Sequence, residues 1–377
     1  MIHHDVLIVG SGVMGVALAS SINSDELSVG IIESNPQPSL SRRHLSINQK
    51  SLNFLKDLDV WKEIEPNAYP YQKIKVWDQE GSGYIEFDSQ EAGIDLLGHI
   101  VSEGQIQKSL IKKLETKKVS FYWNNKLLDI KNNSSDIICT TSNDQISCKF
   151  LIGCDGINSS VRDLGKFKSR SWSYNQTAIV ANLKSPNIDS TIRQTFTKIG
   201  PLALLPINED ELTMIWSIDD KFAYEFLQKE KEDFLKEINV HFGENFGNLD
   251  FSTEIQHFPL NHLSSKTFAK DGIFLVGDAA HQIHPLAGLG LNAGLGDVVC
   301  LAKEINEHGR SEVKKISQIY NRNRIPVNLA LAASMEAFKR GFEAKNIWIR
   351  LLRNSAFNFA NNLELLKKKF MEFATEL

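Results

Sequence analysis

The feature that most constrains the fold is the stretch at residues 5–34, DVLIVGSGVMGVALASSINSDELSVGIIES. Its first apolar run, VLIVG, is typical of a central parallel strand that is buried on both faces. The run VALASSI has small residues at helix-packing positions and predicts a helix, and SVGIIE predicts a second strand. The stretch therefore predicts a strand–helix–strand unit with glycines at its first turn.

Three glycines lie at this turn with the spacing GxGxxG. Gly10 makes the turn, Gly12 lets backbone N–H groups reach a pyrophosphate, and Gly15 lets the helix pack on the strand. Glu33 ends the second strand, where a carboxylate can accept hydrogen bonds from the ribose hydroxyls of an adenosine. The unit predicts a dinucleotide site, and this fingerprint alone leaves NAD and FAD both open. The predicted contacts also include the two residues between Gly12 and Gly15, which are Val13 and Met14.

The composition is ordinary for a protein that buries a large core: 377 residues, 42% hydrophobic and 23% charged, with a net charge of -4. The length predicts two domains or one large interleaved unit. The charge, and the lack of basic runs with interleaved aromatics, argue against nucleic-acid binding. The cysteines form no CxxC pair, which predicts buried thiols and no zinc site. The sequence has no signal-peptide pattern or membrane-spanning run, so we expect a cytoplasmic protein.

Two later segments carry further motifs. The strand-like run KFLIG precedes CDGINSSVR at residues 154–162, and GIFLV precedes GDAAHQIHPLAGLGLNAGLGD at residues 277–297. The second segment leaves a strand, presents an acid, two histidines and a proline, and then places Gly288 and Gly290 before a helix. Glycines between a strand and a helix indicate that a ligand approaches the backbone closely.

These motifs, in this order, resemble those of the FAD-dependent aromatic hydroxylases typified by para-hydroxybenzoate hydroxylase, over nearly the whole chain. The resemblance implies FAD as the cofactor, with Asp278 at its ribityl and pyrophosphate part and Asp155 as a further contact. Backbone N–H groups at the next helix start would face the flavin N1 and C2 carbonyl, because a helix N-terminus favours negative charge. The flavin contacts implied in this last segment are Pro285, Gly288, Leu289, Gly290, Leu291 and Asn292.

Two segments resemble one branch of that family more closely, the UbiH-type hydroxylases of ubiquinone biosynthesis. They are RHLSIN at residues 43–48, followed by SLNFLKDLDVW, and the run HPLAGLGLN. The branch implies that Arg43 approaches the flavin. The chain departs from its relatives at Leu289, where many have glutamine, and in VSEGQIQKSL, which lacks an arginine that many place near the cofactor. Candidate replacements for that arginine are Gln105 and Gln107.

The resemblance implies a mixed α/β fold with a Rossmann-like FAD-binding domain, an inserted antiparallel-sheet substrate domain and C-terminal helices. The predicted FAD-binding domain is discontinuous and comprises residues 1–70, 98–165 and 266–310. Strand-like runs rich in β-branched and aromatic residues place the substrate domain at residues 71–97 and 166–265. The C-terminal region, residues 311–377, is predicted to be helical with a kink or break near Pro326.

Several side chains have both a structural and a functional interpretation. We expect His281 to hold its loop, whereas His284 is the better candidate for contact with a substrate or the flavin edge. Arg162 is expected to support its own loop, with contact to a nicotinamide donor as the alternative. Phe196 and Trp216 either line a substrate pocket or belong to the core of a sheet. No catalytic residue is assigned, and the sequence has no triad or metal-ligand pattern.

The resemblance implies hydroxylation of a prenylated phenol in ubiquinone biosynthesis, through a flavin C4a-hydroperoxide formed with O₂. NADPH, NADH or a protein donor would reduce the flavin from a transient site, because only one dinucleotide fingerprint occurs. Two alternatives stay open, which are hydroxylation of a small soluble aromatic compound and a weakly catalytic flavoprotein scaffold in a quinone-biosynthesis complex. Assembly into a homo-oligomer is also open.

The C-terminal sequence has an amphipathic pattern. Apolar residues spaced by alternating steps of four and three form one helical face, and a run of three lysines lies among them at residues 367–369. The pattern predicts peripheral contact with the inner membrane or with a partner that holds a lipid substrate. Packing on this chain or on a twin subunit is the alternative. The apolar residues are Phe359, Leu363, Leu366, Phe370 and Phe373.

Overall fold

The computed structural model describes residues 1–79, 84–133, 136–242, 246–284 and 288–343. The strands of these residues are, in chain order, β1 (Ile2–Val9), β2 (Val29–Ile32), β3 (His44–Asn48), β4 (Tyr69–Tyr71), β5 (Lys73–Asp78), β6 (Tyr84–Asp88), β7 (Gly98–Ser102), β8 (Val119–Tyr122), β9 (Leu127–Asn132), β10 (Ile137–Thr141), β11 (Gln145–Gly153), β12 (Ser169–Lys184), β13 (Thr191–Thr197), β14 (Gly200–Pro206), β15 (Glu211–Asp219), β16 (Asp250–Phe251), β17 (Gln256–Ser265), β18 (Ala269–Lys270), β19 (Ile273–Leu275) and β20 (His281–Gln282). The helices are α1 (Val13–Ser21), α2 (Gln49–Asp57), α3 (Trp61–Ile64), α4 (Ser89–Ala92), α5 (Glu103–Leu114), α6 (Ser160–Leu164), α7 (Asp220–Leu227), α8 (Lys231–Phe242), α9 (Leu289–His308) and α10 (Val313–Glu343).

The first sheet has the strand order β18–β19–β11–β1–β2–β8, and β10 and β9 extend from β11. Its strand β1 runs parallel to β11 on one side and to β2 on the other, and Val9 lies between Gly153 and Ile32. The β1 residues 6–8 are fully buried, as the apolar run predicts for a central parallel strand. Strand β19 is also parallel to β11. The segments that follow β1, β2, β11 and β19 therefore meet at one edge of the sheet, and the predicted strand–helix–strand unit is confirmed.

The second sheet has the order β20–β17–β12–β15–β14–β13–β5–β6, with β16 beside β12. Most neighbouring strands are antiparallel, and β12 pairs with β15 along its whole second half. Strand β20 pairs with β17, with Gln282 opposite Leu263 and His281 opposite Ser264. The segment after β19 therefore leaves the first sheet and joins the second. This connection brings the second sheet to the edge where the motif segments meet.

One strand pairing differs from the predicted antiparallel arrangement of this sheet. Strands β5 and β13 pair in parallel, from Lys73 opposite Thr191 to Asp78 opposite Phe196. The two strands are joined through the first sheet rather than by a hairpin turn, so no tight connection imposes an antiparallel direction. The alternation of apolar and polar residues predicts a strand but carries no information on its direction.

The two ambiguous aromatic residues have different surroundings. Trp216 is fully buried and makes edge-to-face contacts with Phe226 and Phe234, so it belongs to the core between the second sheet and helices α7 and α8. Phe196 packs instead with Ile283 and the partly buried Leu289, next to the start of α9. The core interpretation is correct for Trp216, whereas Phe196 lies on the side of the sheet that faces the motif segments.

Of the predicted kink or break near Pro326, the break is wrong, because helix α10 is continuous through this residue. Contacts on both sides of the proline hold the helix in place, since Arg324 pairs with Asp297 at 2.7 Å and Asn328 donates from Nδ2 to Asp297 Oδ1 at 3.3 Å. Tertiary contacts have therefore outweighed the loss of one backbone hydrogen bond. None of the helices in the described ranges is long and apolar enough to cross a membrane. The amphipathic pattern at residues 359–373 lies outside the described residues, so its interpretation stays a prediction.

Candidate cofactor site

The turn between β1 and α1 leaves the first N–H groups of α1 without a side-chain cap among the described residues. Gly10 has a φ of +103°, and an added Cβ would collide with the Cys154 carbonyl, so only glycine fits there. An added Cβ at Gly15 would collide with the carbonyl of Gly10, whereas one at Gly12 would meet no described atom within 4 Å. No side chain of the described residues caps α1 at Gly12. These N–H groups are suited to an anionic ligand.

Glu33 follows β2, and the chain holds both of its carboxylate oxygens. Oε2 accepts hydrogen bonds from Ser11 N at 2.9 Å and Ser11 Oγ at 2.8 Å, and Oε1 accepts from Asn35 N and Nδ2, both at 2.9 Å. Burial on its own would raise the pKa of Glu33, but the hydrogen bonds from Asn35 and Ser11 together lower it. The carboxylate is therefore ionised near neutral pH and fixes the glycine turn.

Asp278 lies in the short turn Gly277–Ala279 that follows β19. Its side chain is exposed to solvent, yet the surrounding chain desolvates the carboxylate and raises its pKa, while the charges of His281 and Arg43 oppose that change. A group that is both accessible and desolvated lies in a cleft rather than on an open surface. Asp278 is thus placed where a ligand would meet it from the solvent side.

The loop after β11 carries Asp155 and Arg162, and both have partners within the chain. Asp155 Oδ2 accepts from Ser160 Oγ at 2.8 Å and from Val161 N at 3.2 Å, whereas its Oδ1 is buried without a hydrogen-bond partner among the described residues. Arg162 donates from Nη1 to the Ala279 carbonyl at 3.3 Å. Arg162 also donates from its backbone N–H to Ser159 Oγ at 3.0 Å, so it has a structural role both in its own loop and in the turn after β19.

Arg43 precedes β3 and forms a two-pronged ion pair with Glu103 at the start of α5. Its Nε lies 2.9 Å from Oε2 and its Nη2 lies 3.0 Å from Oε1 of Glu103. Both charges act on the pKa of Asp278, Arg43 lowering it and Glu103 raising it. The pair therefore borders the cleft that contains Asp278, and the sequence motif at Arg43 gives no sign of its acidic partner.

The two glutamines of α5 have different partners. Gln107 is buried and donates from Nε2 to the Ser11 carbonyl at 2.8 Å, within the glycine turn. Gln105 donates instead to the Glu63 carbonyl at 3.2 Å. Only Gln107 of the two touches the turn, so it is the better candidate to replace the arginine of the relatives.

The start of α9 forms a second helix N-terminus without a side-chain cap among the described residues. Gly288 has a φ of +63° and lies against the Ser46 hydroxyl, whereas an added Cβ at Gly290 would meet no described atom within 4 Å. Asn292 is buried, accepting from Asn48 N at 3.0 Å and donating to the Ser46 carbonyl at 3.0 Å. Its side chain joins α9 to β3, so any contact of Asn292 with a ligand uses its backbone. Leu289 is partly buried and Leu291 buried, and Pro285 lies outside the described residues.

A buried ionic cluster behind this segment was not predicted from the sequence. Asp297 of α9 has no exposed surface and accepts from His281 Nε2 at 2.6 Å, Gly277 N at 3.1 Å and Arg324 Nε at 2.7 Å. Burial opposes ionisation, but His281 and Arg324 together lower the pKa of Asp297. His281 therefore holds its loop, as expected. The only sequence sign of the cluster was an acid inside the apolar run NAGLGDVVC.

His284 is bound by the second sheet. Its Nε2 lies 2.9 Å from Gln176 Oε1, and Gln176 donates from Nε2 to Asp219 Oδ1 at 3.2 Å. Because the amide nitrogen of Gln176 is used by Asp219, its oxygen accepts from His284, which assigns the proton of His284 to Nε2. Tyr174 packs edge-on against the imidazole at 5.0 Å, and burial raises the pKa of Tyr174 to about 12. His284 therefore donates from Nε2, and the Tyr174 hydroxyl keeps its proton at neutral pH.

Met14 connects the two uncapped helix N-termini. An added Cβ at Gly277 would lie 3.0 Å from Met14 Cγ, and one at Gly294 would lie 2.7 Å from its sulfur, so α1 packs directly on the Asp278 turn and on α9. Both helix starts thus flank one edge of the first sheet, which is where open α/β sheets bind nucleotides. The open space at Gly12 and Gly290, the acid Glu33 and the accessible Asp278 fit an elongated dinucleotide cofactor such as FAD.

Comparisons with known proteins agree with this geometry. The chain is 29% identical to the ubiquinone biosynthesis monooxygenase COQ6 of Xenopus tropicalis, over 99% of this chain and 93% of that protein. It is 28% identical to the 3-demethoxyubiquinol 3-hydroxylase of Escherichia coli, over 99% of this chain and 98% of that protein. The fold is similar to that of p-nitrophenol 4-monooxygenase from Pseudomonas putida, with a TM-score of 0.82, 16% identity and coverage of 100% and 99% of the two chains.

A family model also matches most of the chain. The model described as FAD binding domain matches residues 3–334, which include the glycine turn, the Asp278 turn and the start of α9. Such a match covers most of the chain and does not depend on any one motif. The chain therefore belongs to the FAD binding domain family and has the fold of the flavin-dependent monooxygenases.

Proposed function

We propose that this protein is an FAD-dependent monooxygenase that hydroxylates the aromatic ring of a prenylated phenol in ubiquinone biosynthesis. The observation that carries the proposal is the placement of residues 277–284 and 288–292. The first range begins in the Asp278 cleft and pairs with the second sheet at β20, and the second range starts α9. This placement puts a broad sheet with aromatic side chains against the cofactor cleft. The near full-length relatives named for ubiquinone hydroxylation support the choice of substrate.

In this proposal the cofactor lies along the edge where β1, β2, β11 and β19 end. The N–H groups of α1 bind the pyrophosphate, and Asp278 binds the ribityl part. Glu33 binds the ribose of the adenosine by exchanging one of its hydrogen bonds from Ser11 or Asn35 for a ribose hydroxyl. The uncapped start of α9 faces the isoalloxazine ring. When bound and reduced by NADPH or NADH, FAD supplies the activation of O₂. The proposed contacts are Gly10, Gly12, Val13, Met14, Gly15, Glu33, Arg43, Asp155, Asp278, Pro285, Gly288, Leu289, Gly290, Leu291 and Asn292.

The residues of this chain provide placement and charge rather than a nucleophile. The N–H dipoles at the start of α9 stabilise negative charge next to them. His284 keeps its proton on Nε2 through Gln176, and Tyr174 keeps its hydroxyl proton because burial raises its pKa to about 12. Phe196, Ile283 and Leu289 form an apolar wall between the second sheet and α9, which suits a ring and excludes water.

The sequence motifs assign no arginine to the carboxylate of a small aromatic acid. Arg193, on the same strand as Phe196, lies on the opposite face of the sheet, where it pairs with Asp189 through two hydrogen bonds of 2.7 Å and stacks on Phe246. Because a long isoprenoid tail is insoluble, the proposal includes collection of the substrate from a membrane or from a quinone-biosynthesis complex. The triple lysine at residues 367–369 is the proposed contact.

The proposal is tested by substrate-stimulated oxidation of NADPH and NADH by the FAD-loaded protein. We expect ring hydroxylation, detected by mass spectrometry, and a KM that falls as the isoprenoid tail grows, because each buried CH₂ contributes about 0.8 kcal/mol. Equal turnover of tailed and tailless phenols would instead support hydroxylation of a small soluble compound. FAD binding without any substrate-stimulated turnover would support a scaffold. Profiling of quinone intermediates in a strain that lacks the protein identifies the ring carbon.

A further inference from the structure

Strand β12 contains a β-bulge opposite β17. The register of the two strands shifts between Ser173 and Gln176, so that Tyr174 and Asn175 have no partner residue on β17. Asn175 has a φ of +52°, a left-handed conformation that asparagine adopts more readily than most residues. Bulges of this kind re-aim a side chain and are frequent next to active sites. The side chain that this bulge directs is that of Tyr174.

The Tyr174 hydroxyl lies between two histidines. Burial, and then the charge of Glu336, raise the pKa of Tyr174 to about 12, and a hydrogen bond with the His284 backbone opposes that change. An interaction that lowers the pKa of a phenol stabilises its anion, so the backbone group is the N–H donor. On its other side, the hydroxyl oxygen lies 3.4 Å from His262 Nδ1. A hydroxyl that accepts from a backbone N–H still has its own proton to donate, and Nδ1 is within reach of it.

The imidazole of His262 is held in a defined orientation. His262 is 6% exposed and stacks on the Trp172 indole, with ring centroids 3.8 Å apart and an angle of 19° between the ring planes. Burial lowers the pKa of His262, and the charge of Glu336 on α10 opposes that change. The net direction favours a neutral ring at neutral pH, in which one nitrogen is an acceptor.

His284 connects this group to the cofactor site. It is 1% exposed and directly precedes Pro285, the first of the proposed flavin contacts in this segment. The imidazole of His284 is bound to Gln176 at 2.9 Å and packs edge-on against the Tyr174 ring at 5.0 Å. Gln176 therefore holds the side chain of His284, whereas Tyr174 holds its backbone.

We propose that His262 is a positioning residue of the flavin site. It accepts the proton of the Tyr174 hydroxyl and so fixes the oxygen that holds the His284 backbone, where the flavin-contacting segment begins. Trp172 keeps the imidazole plane in place for this hydrogen bond. The inference rests on the proposed position of FAD, and it assigns a role to a residue that acts through Tyr174 and His284 rather than by contact with the cofactor.

The test is titration of FAD-free protein with FAD at neutral pH, followed by flavin fluorescence. His262→Leu should weaken FAD binding about fivefold, and Tyr174→Phe about tenfold, because the second change also removes the bond to His284. Adding His262→Leu to Tyr174→Phe should cause no further loss, because His262 acts through the hydroxyl. His262→Asn should bind FAD within about twofold of wild type, since its Oδ1 accepts in place of Nδ1. The control is His257→Leu, which changes an exposed histidine of the same strand and should leave FAD binding unchanged.

Protonation of His262 provides a second test, because an imidazolium cannot accept from Tyr174. The titratable groups beside His262 are Tyr174 of β12 and Glu336 of α10, with His284 behind the Tyr174 ring. The fold lowers the pKa of His262, so the neutral ring contributes fully above the ordinary value of about 6.5 and this contribution is lost as pH falls through the lower folded value. The FAD affinity of wild type should fall over that range. His262→Asn cannot be protonated, so it should lose this part of the pH dependence.

Three results would overturn the proposal. They are wild-type FAD affinity in His262→Leu, an equal loss from His262→Leu in the wild-type and Tyr174→Phe backgrounds, and the same pH dependence in wild type and His262→Asn. If His262→Leu does not fold, as its melting temperature would show, the pH comparison decides alone. All of these readouts are independent of the substrate. A protein that shows the expected coupling but hydroxylates no phenol would therefore defeat the proposed function and support this inference.

Discussion

The two ends of the cofactor cleft are built in different ways. At the N-terminal end, the glycine turn and Glu33 come from one strand–helix–strand unit, and Glu33 bonds Ser11 within that unit. At the other end, the Asp278 turn is held by side chains from three separate helices, which are Arg162 of α6, Asp297 of α9 and, through Asp297, Arg324 of α10. The first end is local, because one stretch of sequence identifies it and substitutions within that stretch disrupt it. The second end is assembled from several helices, so it depends on side chains that never touch the ligand.

The largest effect is expected from Arg324→Ala, which removes a distant support of the Asp278 end of the cleft. It leaves Asp297 buried without its guanidinium partner, which should lower the free energy of unfolding by about 3–5 kcal/mol. Denaturant unfolding and FAD content are the measurements, with Arg322→Ala on the same helix as the control. An Arg324→Ala protein as stable as wild type would show that the Asp278 turn does not depend on this cluster.

The local end is tested by a pair of glycine variants. The backbone at Gly12 has φ -63° and ψ 177°, which any residue adopts, and an added Cβ meets no described atom within 4 Å. We expect Gly12→Val to fold normally but to bind FAD about 100-fold more weakly, because its side chain occupies ligand space. Gly15→Val should instead destabilise the fold, because its Cβ collides with the Gly10 carbonyl. Full FAD content in Gly12→Val would contradict the proposed cofactor position.

The two ends should also respond to pH in opposite directions. The folded-state pKa of Glu33 is lowered, so its contribution to stability is present above its unfolded pKa of about 4.3 and is lost as pH falls through the folded pKa. The folded-state pKa of Asp278 is raised, so its ionisation opposes folding above that pKa, and this effect disappears as pH falls below about 3.9. In FAD-free protein at pH 7, Glu33→Gln should lower the melting temperature and Asp278→Asn should raise it. If both variants change the melting temperature in the same direction, the two carboxylates do not have opposite effects on stability.

The smallest effect is expected at α5. Gln107→Ala frees the Ser11 carbonyl in the glycine turn and should weaken FAD binding about fivefold, equivalent to about 1 kcal/mol. Gln105→Ala removes a bond to the Glu63 carbonyl outside the turn and should leave FAD binding unchanged. Titration of FAD-free protein with FAD, followed by flavin fluorescence, distinguishes the two. Equal losses would mean that the helix as a whole, rather than Gln107, acts on the turn.

The same contrast explains what the sequence could predict. The positions of β1, α1 and β2 follow from a local pattern of apolar residues and glycines, and the family follows from the order of three motifs. The parallel pairing of β5 with β13, the continuous helix at Pro326 and the partnership of Asp297 with Arg324 depend on residues that are distant in sequence. Neither periodicity nor spacing encodes such contacts.

The position of β1 in its sheet has a consequence for synthesis of the protein. Strand β1 is made first, but its neighbour β11 ends at Gly153 and the next strand, β19, ends at Leu275. At roughly 5–20 residues per second, an apolar strand leaves the ribosome on the order of ten seconds before its β11 partner exists. During that time VLIVG is exposed to other nascent chains, and the cleft for the cofactor is complete only after α9 emerges. Chains that terminate early should therefore aggregate and remain colourless, and folding in the cell should depend on chaperones that shield the first strand.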